Sequence, residues 1–294
     1  MEQRKLLSGV LRVEQVRPAP KARSLSDRIH RLILTLLLIA NIYPILWMIL
    51  NSVKTEQELA LNPFGIAKTP NWGNYIEAWK IANLGVNFVN SVWVTLSAVA
   101  VTLLTGAFAA FFLSRFQFRL KGFVLLYFTL GMLIPIHATL VPLFIEMRTL
   151  NLMDNRLTLL FPYVAFNLPI TIFILSGFMN AFPKEVEEAG IMDGCGIMGV
   201  FWRLIVPMLT PALATAFILN FLNNWNEFSF ALVLINKAEL KTLPLGLASF
   251  AGQYNRSYTL QMAGLTIVLI PTILFYLSVQ KYITAGMTAG AVKG

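Results

Sequence analysis

Residues 183–211 read PKEVEEAGIMDGCGIMGVFWRLIVPMLTP, a polar, Gly-punctuated interruption in an otherwise oily chain. Pro183 suits the first position of a helix, where its missing N–H costs nothing, and Glu185, Glu187 and Glu188 put negative charge where a helix N-terminus favours it. A short helix is therefore expected to begin here. Ala189, Gly190 and Gly194 leave one surface nearly bare of side chain, so that another protein's backbone can approach, while Ile191 and Met192 supply apolar grip. The expectation is a docking knob. Gly194 and Gly196 end this helix, and a second short segment, 197–206, leads to Pro207 and Pro211 at the start of the next apolar span.

Composition decides the solvent. Of 294 residues 57% are hydrophobic and 13% charged, with a mean hydropathy of +0.68, whereas soluble domains carry about 25% charged residues. Lipid is the main solvent of this chain. The single cysteine, Cys195, excludes an internal disulfide framework. A net charge of +9 would suggest nucleic acid for a soluble protein; here it orients the chain, and no nucleic-acid partner is expected.

Residues 1–31 form a basic tail from Arg4 to Arg31 with no clean apolar period. The apolar run 32–50 is of spanning length and lacks a small-residue cleavage site, so it is read as a first membrane helix with a kink at Pro44 rather than a secretory signal. Five further stretches of similar length follow, at 88–113, 122–145, 157–179, 211–235 and 262–279. The fold class is all-α: a polytopic membrane protein of six transmembrane helices spanning 32–283, with a loop at 180–210 and a tail at 284–294. Placing the basic N-terminal tail in the cytoplasm leaves fifteen of the 23 Lys and Arg inside and eight outside, in line with the positive-inside bias. The 180–210 loop then falls in the cytoplasm too.

Polar residues within the spans are few. Pro135, Pro142, Pro162 and Pro169 free backbone carbonyls and bend the third and fourth helices, which is tolerated where protein or water receives the freed groups. The fifth contains Asn220, Asn223, Asn224, Trp225, Asn226 and Glu227. Asn220, Asn223, Asn224 and Glu227 share one face, and such a face must meet the bundle interior, a partner or water. Two readings stand: a sugar pathway, with amides for hydroxyls and Trp225 for a ring face, or interhelical hydrogen-bond glue. His137 is assigned no chemistry. Outside, Trp72, Tyr75 and Trp79 suit a membrane surface or a partner, and the segment with Lys237 and Lys241 suits contact with an external binding protein.

Energy has to come from elsewhere, because the chain has no GxxxxGK[ST] phosphate loop. With only His30 and His137, one cysteine and no HExxH, no catalytic residue and no metal site are expected. An ion-coupled secondary transporter of a polar solute is the alternative. Glu227 and His137 are thin support for it, and repeat symmetry is missing.

The pattern Glu188-Ala189-Gly190, then Asp193-Gly194, Ile205-Val206-Pro207 and Pro211, resembles the EAA loop of ABC-importer permeases, the coupling element that sits in a cleft of a cytoplasmic ATPase. Gly190 stands where the family usually has a second Ala, and Val206 where Leu often precedes the Pro. The NNWNEF run at 223–228 and the terminal Thr288-Ala289-Gly290-Ala291-Val292-Lys293-Gly294 are similar to the second permease subunit of maltose-type carbohydrate importers. This resemblance covers residues 25–294. It implies a type I ABC importer permease fold in a bacterial inner membrane with both termini cytoplasmic. It also implies a homologous second permease, two cytoplasmic ABC ATPase subunits that use ATP and Mg, and an extracellular or periplasmic sugar-binding protein. By the same resemblance no cofactor is expected on this chain itself, and the expected cargo is an oligosaccharide or similar glycan piece. Glu188, Ala189, Gly190, Asp193, Gly194 and Lys293 are the ATPase-coupling residues it points to, and Asn220, Asn223, Asn224, Trp225 and Glu227 the candidate substrate pathway.

Overall fold

The computed structural model describes residues 25–251 and 257–291, and every regular element among them is helical. The chain divides into two units, Met1–Trp47 and Met48–Gly294. The described part of the first belongs to helix α1 (Leu25–Ser52), which is apolar on all sides and contains Pro44, as suits a helix surrounded by lipid. Its last turn lies in the second unit.

The second unit continues with α2 (Glu56–Leu61) and α3 (Gly73–Ile81). The Thr55 side chain caps α2 by accepting the Glu58 N–H at 3.2 Å. Three single helices are long and apolar enough to cross a bilayer: α4 (Leu84–Arg115), α7 (Leu160–Asn180) and α13 (Tyr258–Ala291). Two further crossings are bent pairs, which with α1 brings the number of apolar spans to as many as six.

Here the expected helices change shape. The run at 122–145 is not one rod: α5 (Lys121–Gly131) and α6 (Ile136–Thr149) meet at 102°. Pro135 holds an extended backbone at the junction (ψ 124°) and lacks the N–H that would continue the ladder. The fifth span also differs from the expected run at 211–235. It is a bent pair that starts earlier, in which α9 (Ile197–Met208) meets α10 (Thr210–Trp225) at 74°, and the run itself breaks between α10 and a separate short helix α11 (Ser229–Leu234). Glu227 explains the second break, since its carboxylate accepts the N–H groups of Phe230 at 2.6 Å and Ala231 at 3.2 Å and caps α11.

Lipid tails are as apolar as leucine, so helices in a membrane associate by close packing and hydrogen bonds. The α4–α7 contact shows the first. Ala98, Gly106, Ala107 and Ala110 are buried along α4, and a Cβ on Gly106 would stand 2.7 Å from Thr171 Cγ2 of α7. At the end of the bundle where α4 begins, loops are clasped by side chains. Asn90 donates to the carbonyls of Glu239 and Lys241, and Asp154 accepts the N–H groups of Asn236 and Lys237. Glu56 Oε1 accepts from Ser257 Oγ, Thr259 N and Thr259 Oγ1 at 2.8 Å each, placing negative charge at the N-terminus of α13. A core of Phe111, Leu175, Met179, Phe201 and Leu209 fills the other end, and it supports the 180–210 loop.

Candidate functional site

Helix α8 (Glu185–Met192) is the short helix of that loop. It starts two residues later than Pro183 suggests, because Lys184 is the cap: its carbonyl accepts the N–H groups of Glu187 and Glu188 at 2.9 and 3.0 Å. Its other end closes in a Schellman motif. Gly194 stands at φ +86°, its N–H bonds to the Ile191 carbonyl at 2.9 Å, and the Cys195 N–H reaches the Gly190 carbonyl at 3.0 Å. A left-handed residue is needed at this position and glycine supplies it without strain. Gly196 then starts α9, whose middle turn, Phe201–Ile205, is π-helical. Phe201 stacks on Phe108 of α4 with ring centroids 4.5 Å apart, which seats α9 on the bundle.

The two faces of α8 differ. Gly190 is buried, and a Cβ there would lie 2.6 Å from Leu204 Cδ1 and 3.5 Å from Val200 Cγ2. Its bare surface is therefore turned to α9 of the same chain, whereas the sequence put it with Ala189 on a face open to another protein. Glu187 also points inward, to Arg115 Nε at 2.5 Å. Outward lie Glu188, Ala189, Ile191, Met192 and Asp193, continued by Ile197 and Met198 of α9; Met192 is 87% exposed. Lys293 lies outside the described residues. Sequence reading missed the Arg115–Glu187 pair, although a basic residue closing a long helix and three clustered glutamates were both visible.

The amides of α10 form a ladder with α7. Asn167 Nδ2 donates to Asn224 Oδ1 at 2.7 Å and to the Tyr163 carbonyl at 2.8 Å. Asn223 Nδ2 donates to Asn167 Oδ1 at 3.2 Å, and Asn220 Nδ2 to Thr171 Oγ1 at 2.8 Å. Tyr163 OH donates to Glu227 Oε2 at 2.9 Å. Trp225 is buried with Phe221 stacked 5.5 Å away and Phe88 edge-on at 5.9 Å, and its Nε1 donates to Thr272 Oγ1. A ring so enclosed has no face left for a sugar. Of the five candidate pathway residues, Asn220 and Asn224 are buried in the ladder, Glu227 caps α11, and Asn223 is exposed. A separate, mostly apolar cavity of about 600 Å³ opens between α5, α7 and Thr215 of α10. Among the described residues no group of three or more His, Cys, Asp or Glu could hold a metal ion.

Residues 102–289 match the family model described as "Binding-protein-dependent transport system inner membrane component". The chain is 37% identical over 263 residues to the "Probable ABC transporter permease protein YurM" of Bacillus subtilis (strain 168), covering 89% of this chain and 87% of that one. It is 32% identical over 279 residues to the "Diacetylchitobiose uptake system permease protein NgcG" of Streptomyces coelicolor, covering 93% and 92%. A crystal structure of a bacterial ABC transporter involved in the import of the acidic polysaccharide alginate contains a chain that superposes with a TM-score of 0.76 at 25% identity, over 90% of this chain and 99% of that one.

Proposed function

Since this chain belongs to the binding-protein-dependent transport inner membrane components and is a permease of an ABC-type sugar importer, we propose that it conducts an oligosaccharide and is driven through α8 by a separate cytoplasmic ATPase. The permease itself is not catalytic. Its family assembles as a permease pair with an ATPase and a binding protein. The finer reading is one homologous permease beside this chain, two ATPase subunits below it and a sugar receptor outside, with both termini in the cytoplasm. Relatives named for diacetylchitobiose and for alginate support linked sugars as cargo.

The observation that carries the reading is the outward face of α8–α9. Ile191, Met192, Ile197 and Met198 are all more than half exposed beside Glu188 and Asp193, and a helix of eight residues has little stability alone. An apolar tip ringed by acids suits a protein cleft that offers basic or backbone donors. Gly190 and Gly194 shape the tip, while Glu188, Ala189 and Asp193 touch the partner. Lys293 extends the same contact in this reading. Within the membrane, Asn223 lines the sugar's path, held in place by the ladder behind it.

The test is a crosslink from Met192→Cys, in a Cys195→Ser background, within the purified complex. Capture of the ATPase is expected. Failure to capture it, or sugar uptake that continues without ATP and stops with an ionophore, would overturn the reading in favour of ion coupling.

A further inference from the structure

We propose that Arg115 is a positioning residue that pins α8 to α4 through Glu187, so that the lever and the longest internal span move as one body. The inference rests on the coupling role of α8 given above. Arg115 is the last residue of α4 and Glu187 lies in the first turn of α8. Their side chains are only 8% and 13% exposed, and Nε and Oε1 are 2.5 Å apart. A second guanidinium nitrogen reaches the Phe182 carbonyl at 3.5 Å, in the short connection between α7 and α8.

The geometry separates two jobs along one helix. Glu187 and Gly190, three apart, share the inward face; Glu188, Ile191 and Met192 lie outward. A push on the outward face would otherwise reach the membrane helices through residues 181–184 and 193–196, neither of which is in a regular helix. Gly190 ties α8 only to its neighbour α9 by contact with Leu204 and Val200. Arg115 supplies a direct route into α4, and α4 packs against α7 at Gly106 and Thr171. A charge-assisted pair so little exposed is strong and directional, and removing one partner leaves the other charge poorly solvated.

Spin labels at Glu185→Cys on α8 and Leu104→Cys on α4, in a Cys195→Ser background, read the pin directly in the assembled complex. One narrow distance, unchanged by ATP and Mg, is expected for the native pair and for Arg115→Lys. Arg115→Gln and Glu187→Gln should broaden or shift it, and the swap Arg115→Glu with Glu187→Arg should narrow it again. A native distance that is broad or moves with ATP overturns the proposal, as does a distance untouched by either glutamine variant or broadening that the swap does not reverse. If the Met192 crosslink still captures the ATPase in such a case, only the pin is lost and the coupling reading stands.

Discussion

Asn167 of α7 donates to Asn224 of α10 at 2.7 Å while accepting from Asn223 at 3.2 Å, so one buried amide joins a residue of the packing to the exposed Asn on the same helix. Interhelical hydrogen bonds in membranes contribute about 0.6 kcal/mol on average and up to about 1–2. Asn224→Ala should cost about 1 kcal/mol, and Asn167→Ala should cost more because it breaks three bonds at once. Their double variant should cost less than the sum. Asn223→Ala should leave the thermal midpoint of the purified permease nearly unchanged and alter the KM for sugar uptake. Equal destabilisation by Asn223→Ala and Asn224→Ala would contradict this division.

Gly190 and Gly194 are constrained for different reasons, and substitution separates them. At Gly194 an added Cβ meets nothing within 4 Å, yet φ is +86°, so Gly194→Ala should cost about 1–2 kcal/mol of backbone strain and fray α8. Gly194→Asn should be milder, since Asn tolerates the left-handed region. At Gly190 the obstacle is Leu204 Cδ1, the free end of a half-buried side chain that can rotate away. Gly190→Ala should transport normally, and Gly190→Leu should lift α8 off α9 and abolish uptake while the protein still inserts. Uptake rates per unit of inserted protein check both.

Much of this was legible in the sequence, for identifiable reasons. Apolar run length located the spans except the fifth, which is the bent pair 197–225 instead of the run 211–235, and the Glu–Gly–Gly punctuation located α8, because both are local properties. Breaks within spans were not legible: Pro135 announces a bend but not one of 102°, and nothing near Glu227 says that its carboxylate caps the next helix. Asn220, Asn224 and Trp225 fit pore lining and packing equally well until Thr171, Asn167 and Phe221 are seen against them. Arg115 and Glu187 are 72 residues apart in the chain, and only the fold brings them together.

Asp154 links the loop before α7 to the loop after α11, with Oδ1 accepting the Asn236 N–H at 2.5 Å and the Lys237 N–H at 3.1 Å. Partial burial disfavours its charge, but these N–H donors, the Asn236 amide and the Lys237 ammonium outweigh that and hold its carboxyl below the usual carboxylate range. A lowered folded-state pKa means that the clasp is at full strength above the unfolded value, about 3.9, and is lost as pH falls through the lower folded value. The Asn236 and Lys237 amides should stay protected from hydrogen exchange, after correction for intrinsic rates, down to about pH 4 and lose protection below it. Asp154→Asn should show that loss already at neutral pH. Protection that fades between pH 7 and 5 in the native protein would show that another group controls the loop.

Gly106 of α4 lies directly against Thr171 of α7, and the reason this contact cannot relax is chemical. A Cβ on Gly106 would sit 2.7 Å from Thr171 Cγ2. Rotating that methyl away would also swing Oγ1, which donates to the Asn167 carbonyl and accepts from Asn220 Nδ2, both at 2.8 Å. Gly106→Ala therefore has to part the helices or break the polar ladder, and should cost about 1–3 kcal/mol, as overpacking does. Thr171→Ser removes the offending methyl and keeps the hydroxyl, so it should cost under about 1.5 kcal/mol alone and restore most of the stability of Gly106→Ala. Thr171→Val keeps the crowding and removes the hydroxyl, so it should rescue nothing. Thermal midpoints of these variants in detergent decide it: if serine fails to rescue Gly106→Ala, or valine rescues it equally well, the Thr171 methyl is not what keeps the helices from accepting an added Cβ.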